Sequence, residues 1–303
     1  LEVNSYEEIE NSKKSLFFIY SFCKGEIQMN KKILKIALLS VSMLVAVAPA
    51  INANIPAMKE AFPQIPLSMV EMITTIPSLF LMISVLTSGF IAKKIGYKQT
   101  IMLGLGIVAI AGIIPVFIGN FYLVLFSRAA LGFGIGLFNS LLIGLISYFF
   151  DGNERTTLIG YHEALGGLGG MLITYIAGQL MHVNWQAPFI SYAIAIPVFF
   201  IFWKVIPKVK TEDILHKNTK QVVVNDGKEG NFSIVFVFMI LIVIGATLNM
   251  TMGIKVSSLI VEQGYGSASD ASTVIMLLSL GAMISGFLFG KIYKIFKNYI
   301  MSV

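Results

Sequence analysis

Cysteine is almost missing: Cys23 stands alone in 303 residues, which excludes an internal disulfide and any multi-cysteine metal cluster. Charge is scarce as well, at 13% of residues, where a soluble domain carries about a quarter. Arginine is nearly absent. Of 22 basic residues two are arginines, Arg128 and Arg155, leaving 22 − 2 = 20 lysines. The three histidines, His162, His182 and His216, are scattered, so no His-Glu-x-x-His zinc pair exists. There is no Gly-x-Ser-x-Gly elbow of a serine hydrolase. The glycine run Gly166 to Gly170 follows no strand pattern and has no Lys-Ser or Lys-Thr behind it, so it is not a phosphate loop. Enzyme chemistry has no foothold, no cofactor is implied, and any work the chain does must draw on a gradient rather than on a nucleotide.

What fills the chain is apolar: 56% of residues are hydrophobic. Runs of 18 or more apolar residues recur, each long enough to cross about 30 Å of hydrocarbon. Eight spans are expected, over about 33–53, 68–92, 100–119, 121–149, 157–181, 186–206, 232–260 and 270–293. The pattern is that of an all-α polytopic membrane protein whose first partner is the lipid bilayer. The net charge of +6 sits in lysines between the runs, where it sets membrane orientation and is no nucleic-acid footprint.

Placing the Met29 end in the cytoplasm collects Lys31, Lys32, Lys35, Lys93, Lys94, Lys98, Arg155 and Lys204 on the inner side, with only Lys59 in an outer loop and Lys255 at an outer helix end. This is the distribution expected of a multi-pass protein of the inner or plasma membrane. Residues 1–28 lack the order of a signal peptide, and "MNKKILKIALL" from Met29 has the form of a membrane-protein start, so 1–28 is expected to be a non-native or upstream-read extension. Residues 29–206 then form a six-helix bundle, 207–231 a polar, lysine-rich cytoplasmic loop, and 232–303 part of a second bundle.

A short phrase occurs twice. "SGFIAKKIGYK" starts at Ser88 and "SGFLFGKIYK" at Ser285, 285 − 88 = 197 residues later, each at the inner end of the second span of its block. Same-orientation copies imply two halves related by an axis along the membrane normal. In the first copy Gly89, Lys94, Gly96 and Lys98 match the cytoplasmic motif between the second and third helices of the major facilitator superfamily, although Lys93 stands where that motif has Asp. "RAALGFGIG", Arg128 to Gly136, is similar to the family's arginine followed by spaced glycines in the fourth helix. Over residues 31–297 the chain thus resembles a member of that superfamily that stops after about eight of some twelve helices. The resemblance implies a secondary transporter of a small-molecule solute working by alternating access, with protons as the coupling ion. The glycine-proline signature of the family's antiporters is missing from span five, since no proline occurs between residues 116 and 187. The competing class is a non-transporting membrane sensor or scaffold, or an inactive transporter remnant.

Ionisable groups inside hydrocarbon cost roughly 2.5–3.5 kcal/mol on insertion scales and need a reason to be there. Arg128 shares a helical face with Gly132, Ile135 and Asn139 in span four, and Glu163 shares one with Gly166, Gly170 and Thr174 in span five. Arg128, Asn139, Glu163 and Asn249 are the candidate substrate and coupling residues, and Gly89, Lys94, Gly96 and Lys98 the candidate cytoplasmic gate. Against this stand plainer roles: an arginine snorkelling outward, a carboxylate paired with an inner lysine or with Arg155, Asn249 as polar glue, and His162 as an interfacial histidine. Gly132-x-x-x-Gly136 and Gly166-x-x-x-Gly170 are patterns that let helices approach closely.

Overall fold

A computed structural model describes residues 31–207, 209, 211–214, 232–267, 269–277, 280–281, 283–284 and 288. The extension expected over 1–28, almost all of the loop over 207–231 and the second lysine-rich turn past 288 lie outside the described residues. The chain divides into residues 1–36 and 37–303. Of the first unit only the opening turns of helix α1 (Lys31–Ser42) are described.

The second unit is built from α2 (Ile55–Ala61), α3 (Leu67–Ile95), α4 (Tyr97–Ile113), α5 (Phe121–Phe149), α6 (Gly152–Leu180), α7 (Ala195–Val205) and α8 (Phe232–Glu262). Three 3₁₀ segments interrupt them at Ala48–Asn54, Ile114–Val116 and Ala187–Ile194. No strand occurs among the described residues. Four stretches there are long and apolar enough to cross a membrane: Leu67–Ile95, Tyr97–Val116, Phe121–Phe149 and Ala187–Val205. α6 has the length, but its glycines and the adjacent His162 and Glu163 dilute the apolar run.

The first apolar run departs from expectation. Instead of one span over 33–53, helix α1 stops at Ser42 and the chain tightens into turns. There Met43, Leu44 and Val45 donate their amides three residues back, to Ser40, Val41 and Ser42 (3.3, 3.0 and 3.1 Å). A 3₁₀ segment and the short α2 follow, each with proline in its first turn. Pro49 keeps the helix from resuming after this break: it has no N–H for the Val45 carbonyl four residues back, and its ring would collide with that carbonyl in a continuing helix.

α5 is the hub, and glycine puts it there. A Cβ on Gly132 would fall inside the Pro77 carbonyl, and one on Gly136 would lie 2.5 Å from the Leu81 carbonyl oxygen. The predicted small-xxx-small pair therefore carries α3 at backbone distance. On another face Gly104 and Gly134 approach reciprocally, their would-be Cβ atoms 2.6 and 2.8 Å from each other's carbonyl oxygens, which seats α4. Ser84 donates to the Phe133 carbonyl (2.6 Å), and the Ser88 and Ser140 hydroxyls pair at 2.9 Å. In the second pattern the tightest contact falls on Gly169 and not Gly170: a Cβ there would run into the Met43 carbonyl, just past the end of α1.

Between α3 and α4 the backbone turns on a single residue, Gly96, at φ 99° and ψ 152°. That region is essentially open to glycine alone, and an added Cβ would also press on the Gln99 side chain at 2.5 Å. Gly96→Ala is expected to cost about 1–3 kcal/mol, read as a lowered unfolding temperature in detergent; an unchanged temperature would contradict the assigned turn.

Candidate functional site

Arg128 sits 0% exposed on α5. Its guanidinium carbon lies 4.8 Å from the ring centroids of both Phe189 and Tyr192, contributed by the 3₁₀ segment Ala187–Ile194. None of its three guanidinium nitrogens finds a hydrogen-bond acceptor among the described residues. The Tyr192 hydroxyl donates to the Val47 carbonyl at 3.2 Å, on the interrupted first run. Two more orphaned atoms belong to that run: the side-chain oxygens of Asn52 and Asn54 are buried and unpartnered, although Asn54 Nδ2 donates to the Trp185 carbonyl at 2.7 Å. Aromatic edges link these groups, with Trp185 packed on Phe62 at 5.0 Å and on Phe189 at 6.4 Å. Arg128 is therefore not snorkelling: it is enclosed by rings, with polar capacity left over.

The other candidates are distributed rather than gathered. Asn139 is half-buried on α5, eleven residues and about 16 Å along the axis from Arg128. Glu163 has a side chain 67% exposed. Counted from the link at 150–151, Arg128 is 149 − 128 = 21 residues along α5 and Glu163 is 163 − 152 = 11 along α6, so roughly 15 Å of helix rise separates them. Asn249 lies on α8, and its side chain is outside the described residues.

The burial of His162 was not foreseen from sequence. It is 1% exposed, and its Nδ1 lies 2.8 Å from Ser42 Oγ at the end of α1. The end of α1 at Ser42 was the missed signal, because it sets that hydroxyl against α6.

At the inner end, Lys98 donates to the carbonyls of Trp203 (2.7 Å) and Ile206, so this motif residue satisfies the open carbonyl end of α7. Thr211 donates to the Ala92 carbonyl at 3.0 Å, bringing the start of the central loop against the end of α3. Gly89 and Lys94 are exposed there. Far along the chain, Lys255 on α8, expected at an outer helix end, forms a 2.7 Å ion pair with Glu71 on α3. Both are partly exposed, so the pair contributes about 0–1 kcal/mol.

Long helices crossing at glycines, an interrupted first helix, and an arginine enclosed in the interior define a polytopic helical membrane fold. The family model described as "Major Facilitator Superfamily" matches residues 36–303, and the chain belongs to that superfamily. Among solved structures, it is similar to a D-xylose-proton symporter at TM-score 0.60 and 14% identity, over 82% of this chain and 65% of that one. The proton:xylose symporter XylE bound to 6-bromo-6-deoxy-D-glucose gives TM-score 0.55 and 14% identity, over 86% and 81%. Inward-open XylE from E. coli gives 0.56 and 14%, over 82% and 65%. At this identity the likeness is one of fold. The chain thus spans about two-thirds of the length of the symporter in the first comparison. No curated protein matches it.

Proposed function

We propose that this protein is a secondary active transporter that moves a small solute by alternating access, coupled to protons, in the cell membrane, with its N-terminus and residues 207–231 cytoplasmic. The observation that carries the reading is Arg128: a fully buried guanidinium with no acceptor among the described residues. Such a group is costly in an apolar interior and persists where something else answers it. Arg128, Asn139, Glu163 and Asn249 are taken to line or bias the solute path, and the turn carrying Gly89, Lys94, Gly96 and Lys98 to hold the inner gate. Proton coupling draws support from Glu163 and from the symporters that share the fold.

Reconstitution into proteoliposomes loaded with a pH-sensitive dye tests this. A solute panel that includes D-xylose and lactate is expected to contain at least one compound that drives proton movement, and Arg128→Gln should abolish it. Silence across the panel from folded protein would favour a non-transporting sensor or an inactive form.

A further inference from the structure

We infer that His162 and Glu163 form one proton-binding site at the interrupted first span, with Ser42 as the positioning residue that holds the imidazole through Nδ1. This rests on the proton-coupled reading above and names the place where coupling occurs.

Ser42 holds the ring. Its hydroxyl lies 2.8 Å from His162 Nδ1 and 3.4 Å from the Leu38 carbonyl, so its short contact is with the imidazole. The other ring nitrogen, Nε2, faces Glu163 Oε1 at 4.0 Å. A proton taken up from water by the neutral ring leaves an imidazolium with one nitrogen toward Ser42 and the other toward the carboxylate; the reverse step releases it. Ser42 also ends α1, whose last carbonyls carry partial negative charge and favour a cation next to them.

Access follows from helix phase. The exposed large residues Tyr161, Leu172, Tyr175 and Ile176 mark one outward stripe of α6. Glu163, two residues on from Tyr161, is about 200° around the helix, so its exposure opens on the opposite side. Further along that side Gly166, Gly170 and Thr174 are buried. Glu163 therefore stands at the mouth of a face that closes above it, while His162, Gly166 and Gly169 form the neighbouring stripe against Ser42 and Met43. Within the span expected over 157–181, His162 is 162 − 157 = 5 residues in, about 8 Å, roughly a quarter of the way across a 30 Å hydrocarbon layer.

Ionisable groups also stand on the neighbouring elements. Residues 43–54 contain none. The segment Ala187–Ile194 offers Tyr192, engaged with Val47. α5 offers Tyr122, Arg128, between its two rings, and Tyr148, stacked edge-on to Phe149. α1 carries Lys31, Lys32 and Lys35 at its start, and α6 itself carries Glu154, Arg155, Tyr161 and Tyr175.

The test is imidazole ¹⁵N and ¹³C NMR on the full chain carrying His182→Gln and His216→Gln, which leaves His162 as the reporter. The expected result is a ring that takes up one proton as the pH falls. Glu163→Gln should move the midpoint toward acid by about one pH unit, a tenfold loss of proton affinity, and Ser42→Ala should change the tautomer ratio of the neutral ring. A ring that stays neutral at every pH at which the protein is folded, or a midpoint indifferent to Glu163→Gln, would each overturn the inference. This readout needs no solute. Active transport with an indifferent His162 ends this proposal alone, whereas a titrating His162 in a protein that moves nothing ends the transporter reading alone.

Discussion

Arg128→Met is expected to raise the unfolding temperature of the protein and to eliminate solute-driven flux. The two effects share one cause. The guanidinium is wholly buried, and its nitrogens lack acceptors among the described residues. Its two ring contacts at 4.8 Å return up to about 2 kcal/mol in a desolvated setting. Each buried donor without a partner costs about 1–3 kcal/mol, so the rings do not offset the three nitrogens. Methionine keeps most of the side-chain length and its favourable contact with aromatic rings. Replacing buried charge by well-packed apolar side chains is commonly neutral or stabilising by about 1–4 kcal/mol. Thermal unfolding in detergent, run beside a proteoliposome flux assay, reads both arms. A variant that is less stable would show that the arginine is satisfied by its surroundings, and one that still transports would remove Arg128 from the solute path.

Gly132→Ala is expected to be strongly destabilising for a single-methyl change. Its Cβ would occupy space held by the Pro77 carbonyl. That carbonyl belongs to helix backbone and cannot swing aside as a flexible side chain would. The helices must part, and with them go Gly136 on Leu81 and Ser84 on Phe133. Overpacking of this kind costs about 1–3 kcal/mol, and van der Waals contact is the main force joining helices in lipid. Gly89→Ala is the matched control: nothing lies within 4 Å of a Cβ there, and removing a mid-helix glycine gains about 0.5–1 kcal/mol. The expected order of unfolding temperatures is Gly89→Ala at or above wild type, with Gly132→Ala well below. Equal temperatures for the two would mean that α3 and α5 do not meet at this glycine.

The comparison of sequence with structure divides along the range of the forces involved. The helices α3 to α8 were legible, because apolar length and lysine-marked ends are local signals. The Gly132/Gly136 contact was legible because small residues at helical spacing have few other uses in a span. Gly96 came from a motif and is required by a backbone angle. The interrupted first run was not read, although Pro49 and Pro56 announced it; an average over 33–53 stays apolar whether or not the helix continues. The burial of His162 was missed for a related reason. Its partner Ser42 lies 120 residues away, and no pattern in α6 alone indicates that α1 ends opposite it. Arg128 was placed by its rarity, but its aromatic enclosure comes from a 3₁₀ segment whose position only the fold supplies.

The glycine contacts of α5 have a mechanical meaning. Helices held backbone to backbone at Pro77, Leu81 and Gly104 cannot slide past one another without colliding. Together α3, α4 and α5 behave as one slab, and Lys98 fastens the foot of α7 to it. In the transport cycle proposed above, rocking has to find its pivot elsewhere. The turn over 43–46, where hydrogen bonds run three residues back, is one place where bending breaks no α-helical bond, with Gly169 against Met43 as its fixed point.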